Sequence, residues 1–140
     1  MTNLDPQELV SRHVAVWNQP DSELRRKAIR ALWTEDGAHI LQPPEQIRKA
    51  AGGLGFSSTV LEARGHDALE VRVTRAYGEF VAPGGFTFRP RDNADRLCNV
   101  VKFNWEMVPS GGGDVAGVGL EILILDEDGR IKSDYQFIEG

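Results

Sequence analysis

Apolar side chains recur every three or four positions near the start of the chain: Leu9, Val10, Val14 and Trp17, with His13 on the same stripe. That spacing predicts an amphipathic helix. Asp5 suits its N-cap, Pro6 its first turn and Glu8 a capping box, and the helix stops before Pro20. Asp21 caps a second predicted helix, with Leu24, Ala28, Ala31 and Leu32 on one side, Trp33 at its end and Gly37 as its terminator. A short strand is expected at Ala38 to Leu41, closed by Pro43-Pro44. Gly65-His66-Asp67 opens a third helix, whose stripe is Leu69, Val73, Ala76, Tyr77 and Phe80 and whose end is Pro83-Gly84-Gly85.

From Phe86 the period changes to two. Phe86 to Arg89 reads as a short strand. Leu97 to Val108 reads as a long one, with Leu97, Asn99, Val101, Phe103, Trp105 and Met107 on one face. Ser110 to Asp114 is a hairpin turn, Val115 to Leu125 a further strand, and Asp128-Gly129 the turn before a last strand at Ile131 to Ile138. In residues 43–62, Glu45 to Ala51 allows one or two helical turns, but Gly52, Gly53 and Gly55 loosen the segment, which reads as a mobile flap or loop with a short extended piece at Thr59 to Ala63. Helices gathered ahead of a meander predict an α+β fold. Three N-terminal-side helices pack on the concave face of a cone-like, curved, mixed or antiparallel sheet. Such a cone encloses an internal pocket, a usual place for a small ligand.

Composition narrows the function. The chain's 140 residues suffice for one domain and one core, so 1–140 is read as a single domain. A net charge of −5 argues against a nucleic-acid partner, which would demand a basic face. The basic run Arg25, Arg26, Lys27 and Arg30 reads as the solvated side of the second helix. Cys98 is the only cysteine, so no internal disulfide forms and a reducing compartment fits. With no signal-like leader and no apolar run of membrane-spanning length, the expectation is a cytoplasmic domain without a membrane partner.

Several local patterns fail as cofactor motifs. Ser110-Gly111-Gly112-Gly113-Asp114 lacks the Lys-Ser/Thr of a phosphate loop. Asp126-Glu127-Asp128-Gly129 has its glycine too early for a calcium loop. Three histidines and one cysteine show no zinc-ligand spacing, and no serine stands in a nucleophile elbow. No metal and no cofactor are therefore assigned.

Three stretches together carry a family likeness: LVSRHVAVWNQPD leading to ALWTEDG, the helix ending in FVAPGGFTFR, and FNWEMVPSGGGDVAGVGLEILILDEDGRIKSDYQFIE. On these the chain resembles the nuclear-transport-factor-2-like superfamily, and within it the SnoaL-like proteins. The resemblance implies the cone fold and a homodimer formed through the outer face of the sheet. It leaves activity open, because isomerases, dehydratases, cyclases, epoxide hydrolases and non-catalytic modules share the fold. In ketosteroid isomerases a tyrosine on the first helix donates to a developing oxyanion, and His13 holds the similar position here. Those enzymes also place a carboxylate base near the end of the first strand, where this chain has Ile40, Leu41 and Gln42. Steroid-isomerase chemistry in its usual form is set aside.

Glu121 is the most informative single residue, a carboxylate within the otherwise apolar run Val118 to Leu125. Burying it is costly unless it is paired or protonated. SnoaL-like cyclases are similar in placing an acid on a late strand as a general acid/base. Alternatives are a structural carboxylate or one at a dimer face. His39, with Asp36 in the turn before it, offers an acid/base pair or simply a hydrogen-bonded strand histidine. Asp134 and Gln136 alternate with Tyr135 and Phe137, and the sequence does not choose which pair faces inward. Asn99 is a ligand-orienting amide candidate, and Trp17, Trp33, Tyr77, Phe103 and Trp105 are candidates for the pocket wall. The resulting expectation is a pocket for a small apolar or aromatic molecule. Lyase, cyclase or isomerase chemistry would use Glu121 with His13 or His39. The alternative is a non-catalytic ligand-binding or dimeric assembly module.

Overall fold

The computed structural model describes residues 4–139. Helix α1 spans Pro6–Asn18, and the Asp5 carboxylate accepts from the Gln7 N–H at 3.0 Å. Helix α2 spans Ser22–Leu32 beneath Asp21, which accepts from the N–H groups of Glu23 and Leu24. Its buried face is Arg25, Ile29 and Leu32, and Leu24 is exposed, one position off the expected stripe. Arg25, expected on the solvated side, makes that slip favourable. Its Nε and Nη2 donate to the Gln19 carbonyl, its Nη1 donates to Thr74 Oγ1, and the guanidinium lies over the Tyr77 ring. A guanidinium supplied with acceptors and an aromatic face is tolerated inside.

Trp33 does not end that helix; it opens strand β1, Trp33–Leu41. Gly37 lies within the strand and terminates no helix. A Cβ on Gly37 would stand 2.9 Å from Trp33 Cδ1 and 3.0 Å from the Ile131 carbonyl oxygen. The strand bulges there, and only a residue without a side chain lets it cross the buried indole. Residues 43–62 are not one continuous loop. Glu45–Gly53 forms helix α3, supported by a Glu45–Lys49 ion pair, with no buried residue. Strand β2 is Leu61–Arg64, and helix α4, His66–Ala76, runs into a π-helical turn at Tyr77–Val81.

The remaining strands are β3 (Phe86–Pro90), β4 (Asp95–Leu97), β5 (Val100–Pro109), β6 (Gly117–Leu125) and β7 (Ile131–Glu139). The expected strand from Leu97 is broken at Cys98, whose φ of 54° is left-handed, and Leu97 is exposed. The sheet order is β2-β1-β7-β6-β5-β3, with β4 paired to β5. All pairings are antiparallel except β1 with β7. Helices α1, α2 and α4 cover one face of this curved, unclosed sheet, while α3 stands apart. Among the described residues no helix is long and apolar enough to cross a membrane.

Candidate active site

The covered face of the sheet changes character along its strands. At one end Val101, Leu123, Leu125 and Ile131 pack on Leu9, Ile29 and Trp33 as a closed apolar core. Further along, the inward positions are Phe103, Trp105, Glu121, Asp134 and Gln136, with Phe103 beside Glu121 and Glu121 beside Gln136 in register. Above them the helices leave a cavity of about 470 Å³. Helix α1 contributes His13, Val14 and Trp17, and α4 with its π turn contributes Arg72, Ala76 and Phe80. The strands contribute His39, Leu41, Phe88, Trp105, Met107, Glu121 and Gln136. The volume suits a small ligand, and most of the wall is apolar.

The three acid/base candidates, Glu121, His13 and His39, all line this cavity, as do Trp17, Trp105 and Gln136. Trp33, Phe103 and Asp134 do not: they are fully buried beneath the cavity. Tyr77 is turned to Arg25 instead, and the Asn99 amide donates to the Leu125 carbonyl at the opposite end of β6. Asp36 does not pair with His39; it is exposed and accepts from Thr34. Strand β7 is settled in favour of Asp134 and Gln136 inward, with Tyr135 and Phe137 partly exposed on the outer face.

His13 Nε2 lies 2.7 Å from Asp134 Oδ2, both residues being almost wholly inaccessible. The Trp105 indole N–H donates to Glu121 Oε1 at 3.0 Å. Asp134 Oδ1 and Glu121 Oε2 are left without any other donor. A proton on Glu121 joins them and closes a chain Trp105–Glu121–Asp134–His13 in which each carboxyl oxygen has a partner. The protonation follows from the surroundings. Burial, the adjacent Asp134 charge and the hydrogen bond to Asp134 hold the Glu121 pKa well above its ordinary value, against the Trp105 bond. Burial also works to raise Asp134. The charge and hydrogen bond of His13, together with the bond from Glu121, overcome it and lower that group to about 2. The arrangement is one carboxylic acid and one carboxylate sharing a site, with the imidazole on the carboxylate. His13 Nδ1 remains without a hydrogen-bond partner.

Glycine makes the chain of bonds fit. A Cβ on Gly119 would fall within the Trp105 ring, so the bare backbone of β6 is what lets the indole lie across it and reach Glu121. Gly117, two residues earlier, has Met107 at ordinary contact distance instead. Phe88 meets Trp105 edge-on at 5.6 Å between centroids and Phe80 meets Phe88 at 6.2 Å, which holds the wall together.

A second polar group faces the same cavity. Arg72 Nη1 is 3.0 Å from His39 Nδ1, and since a guanidinium only donates, that nitrogen accepts. The His39 proton is then on Nε2, donating to Gln136 Oε1 at 2.8 Å. Burial, and to a lesser degree the Arg72 and His13 charges, lower the His39 pKa, opposed by Asp134 and Gln136. A neutral imidazole is the consistent form. Arg72 itself was not a candidate from the sequence. It lies three residues after Leu69 and four before Ala76, and that shared helical face was the available signal.

His13, Glu121 and Asp134 also present ligand atoms within 4.8 Å of one another, the one such trio among the described residues. Residue spacing along the chain gave no hint of it. The donors are nonetheless committed as the hydrogen-bonded chain requires, His13 Nε2 to Asp134 and the Trp105 N–H to Glu121.

No protein-family model matches the chain, and no curated protein matches it either. Solved structures do. A SnoaL-like family protein from Agrobacterium tumefaciens is similar at 21% identity and a TM-score of 0.76, covering 96% of this chain and 97% of its own. A SnoaL-like protein of unknown function from Burkholderia thailandensis is similar at 15% identity and a TM-score of 0.66, over 100% and 99% of the two chains. A protein from Sinorhizobium meliloti, provisionally designated a polyketide cyclase, is similar at 8% identity and a TM-score of 0.60, over 93% and 94%. At these identities the likeness establishes the SnoaL-like, NTF2-like cone fold.

Proposed function

We propose that this cone-shaped domain binds a small, largely apolar molecule in its cavity and catalyses proton transfer at a carbon of that molecule, as an isomerase, lyase or cyclase does. The carrying observation is the Glu121–Asp134–His13 chain at the base of an apolar cavity. With Nε2–H donating to Asp134 in the neutral ring, the buried His13 Nδ1 carries the lone pair that takes a proton, and Asp134 orients the ring and stabilises the imidazolium formed, the state whose charge lowers Asp134. Glu121 is kept protonated by burial and by Asp134, and its proton holds Asp134 in place while the imidazolium returns the proton it took to the ligand. Provisional designations of the Agrobacterium neighbour as an isomerase and the Sinorhizobium neighbour as a polyketide cyclase support the same reaction type.

The test needs no knowledge of the natural substrate. A bicyclic ketone with enolisable hydrogens, 2-tetralone, is incubated with the protein in D2O and its C–H signals are followed by NMR. Deuterium incorporation should run about a hundredfold above buffer, the size of one positioned general base. It should fall to the buffer rate in a folded His13→Asn variant. Binding of the ketone without accelerated exchange would leave a non-catalytic ligand-binding module and overturn the catalytic reading.

We also propose that two copies of the domain pair through the outer face of the sheet. Leu120, Ile122 and Ile124 on β6 lie beside Tyr135 and Phe137 on β7, an apolar surface that no helix among the described residues covers. Sedimentation at micromolar concentration should give twice the chain mass, and Phe137→Lys should give the monomer. A monomer in the unmodified protein sinks the pairing.

A further inference from the structure

We infer that the cavity's ligand carries a carboxylate, and that Arg72 is the residue that receives it. The inference rests on the cavity being the ligand site, as proposed above, and adds the chemical class of what enters. Arg72 is half-buried in the wall, on the inward face of α4. All of its hydrogen bonds are made by one nitrogen: Nη1 donates to His39 Nδ1 and to the carbonyls of His39 and Leu61, at 3.0, 3.0 and 3.2 Å. These contacts tie α4 to β1 and β2 and leave Nε and Nη2 uncommitted among the described residues.

Among the described residues no carboxylate is bonded to this guanidinium. Glu62 is the nearest influence, but its two oxygens are held by Arg64 at 3.1 and 3.4 Å. Asp134 is occupied by His13 and sealed beneath the cavity. Glu121, the acid in the wall, is held in its neutral form, and its Oε1 is taken by Trp105. A half-buried cation without a counter-ion is costly, and it is retained where a ligand supplies the missing charge. The free edge of the guanidinium, Nε with Nη2, is the edge that grips a carboxylate with two parallel hydrogen bonds. The apolar remainder of the wall, Trp17, Phe80, Phe88 and Met107 among it, suits an aromatic or alicyclic body attached to that group. The ligand class is thus an apolar ring carboxylate.

Calorimetric titration with 2-naphthoate and with 2-naphthamide, equal in shape and different in charge, tests this on the unmodified protein. The carboxylate should bind at least about tenfold more tightly, the weight of one charge-assisted pair. Arg72→Met should abolish the difference and Arg72→Lys should keep part of it, with thermal melting used to verify that each variant is folded. Equal affinity for acid and amide overturns the inference while leaving the cavity reading intact, as does a folded Arg72→Met variant that still prefers the acid. Failure of both compounds to bind overturns the cavity reading and the inference together.

Discussion

Replacing Asp134 with alanine should destabilise the domain by about 3–5 kcal/mol, the loss expected when one member of a buried ionic pair is removed. Asp134 is fully buried and accepts from both neighbours in the chain, so its removal strands two donors. His13 Nε2 and the Glu121 proton would each lose their acceptor in a place water does not reach. The hole left by the carboxylate adds a smaller packing loss. Asp134→Asn keeps the volume but offers only one acceptor atom to two donors, so its loss should fall between wild type and the alanine variant. Urea unfolding followed by tryptophan fluorescence measures the series. An alanine variant within about 0.5 kcal/mol of wild type, the range of an ordinary surface change, would show that the chain of bonds does not hold this part of the sheet.

The same chain shows which part of the site was legible in the sequence. Glu121 stood out because one carboxylate within a run of apolar β-residues must be paired or protonated, and that argument needs no partner to be known. The partner was not legible. His13 and Asp134 are 121 positions apart, one on the first helix and one on the last strand, and only the packing of α1 over the sheet joins them. Asp134 was ambiguous for a physical reason: β7 has apolar residues at alternate positions facing out, Tyr135 and Phe137, so the period of two does not identify the buried face. On β5 the opposite face carries Lys102, Asn104 and Glu106, and there the alternation gave Val101, Phe103, Trp105 and Met107 correctly.

Errors in the helices have a comparable origin. Arg25 and Leu24 stand opposite to expectation because charge alone implies exposure, whereas two bonds to the Gln19 carbonyl and an aromatic ring make the guanidinium the better buried group. Glycine favours helix ends, which is the expectation at Gly37, but here its value is the absence of a side chain above Trp33. Gly119 repeats that use beside Trp105. In both cases a glycine marks the place where an indole lies against the backbone, and both lie in strands. The fold class survived these errors because it depends on the order of helices and strands, which single-residue slips do not change.

Glu121→Gln should make the domain more stable at neutral and alkaline pH, with no gain at acid pH. Gln can keep both contacts of the protonated acid, accepting from Trp105 and donating to Asp134 through its amide, so the packing and the His13–Asp134 bond persist. The difference lies in the proton. The folded-state pKa of Glu121 is raised above that of the unfolded chain, by burial first and by Asp134 second. The stability tied to this group is therefore complete below the unfolded value of about 4.3 and is lost as the pH rises towards the folded one. Through that window wild type should lose about 1.4 kcal/mol per pH unit relative to the glutamine variant. Asp134 acts at the opposite edge, its contribution disappearing only as the pH falls through about 2. His39, whose pKa is lowered, loses stability as the pH falls below its unfolded value, but both proteins share that change and it cancels in the comparison. Urea midpoints measured from pH 4 to 9 should start together and diverge steadily. Parallel curves, or a variant that loses ground as the pH rises, would mean that Glu121 is ionised in the fold and does not donate to Asp134.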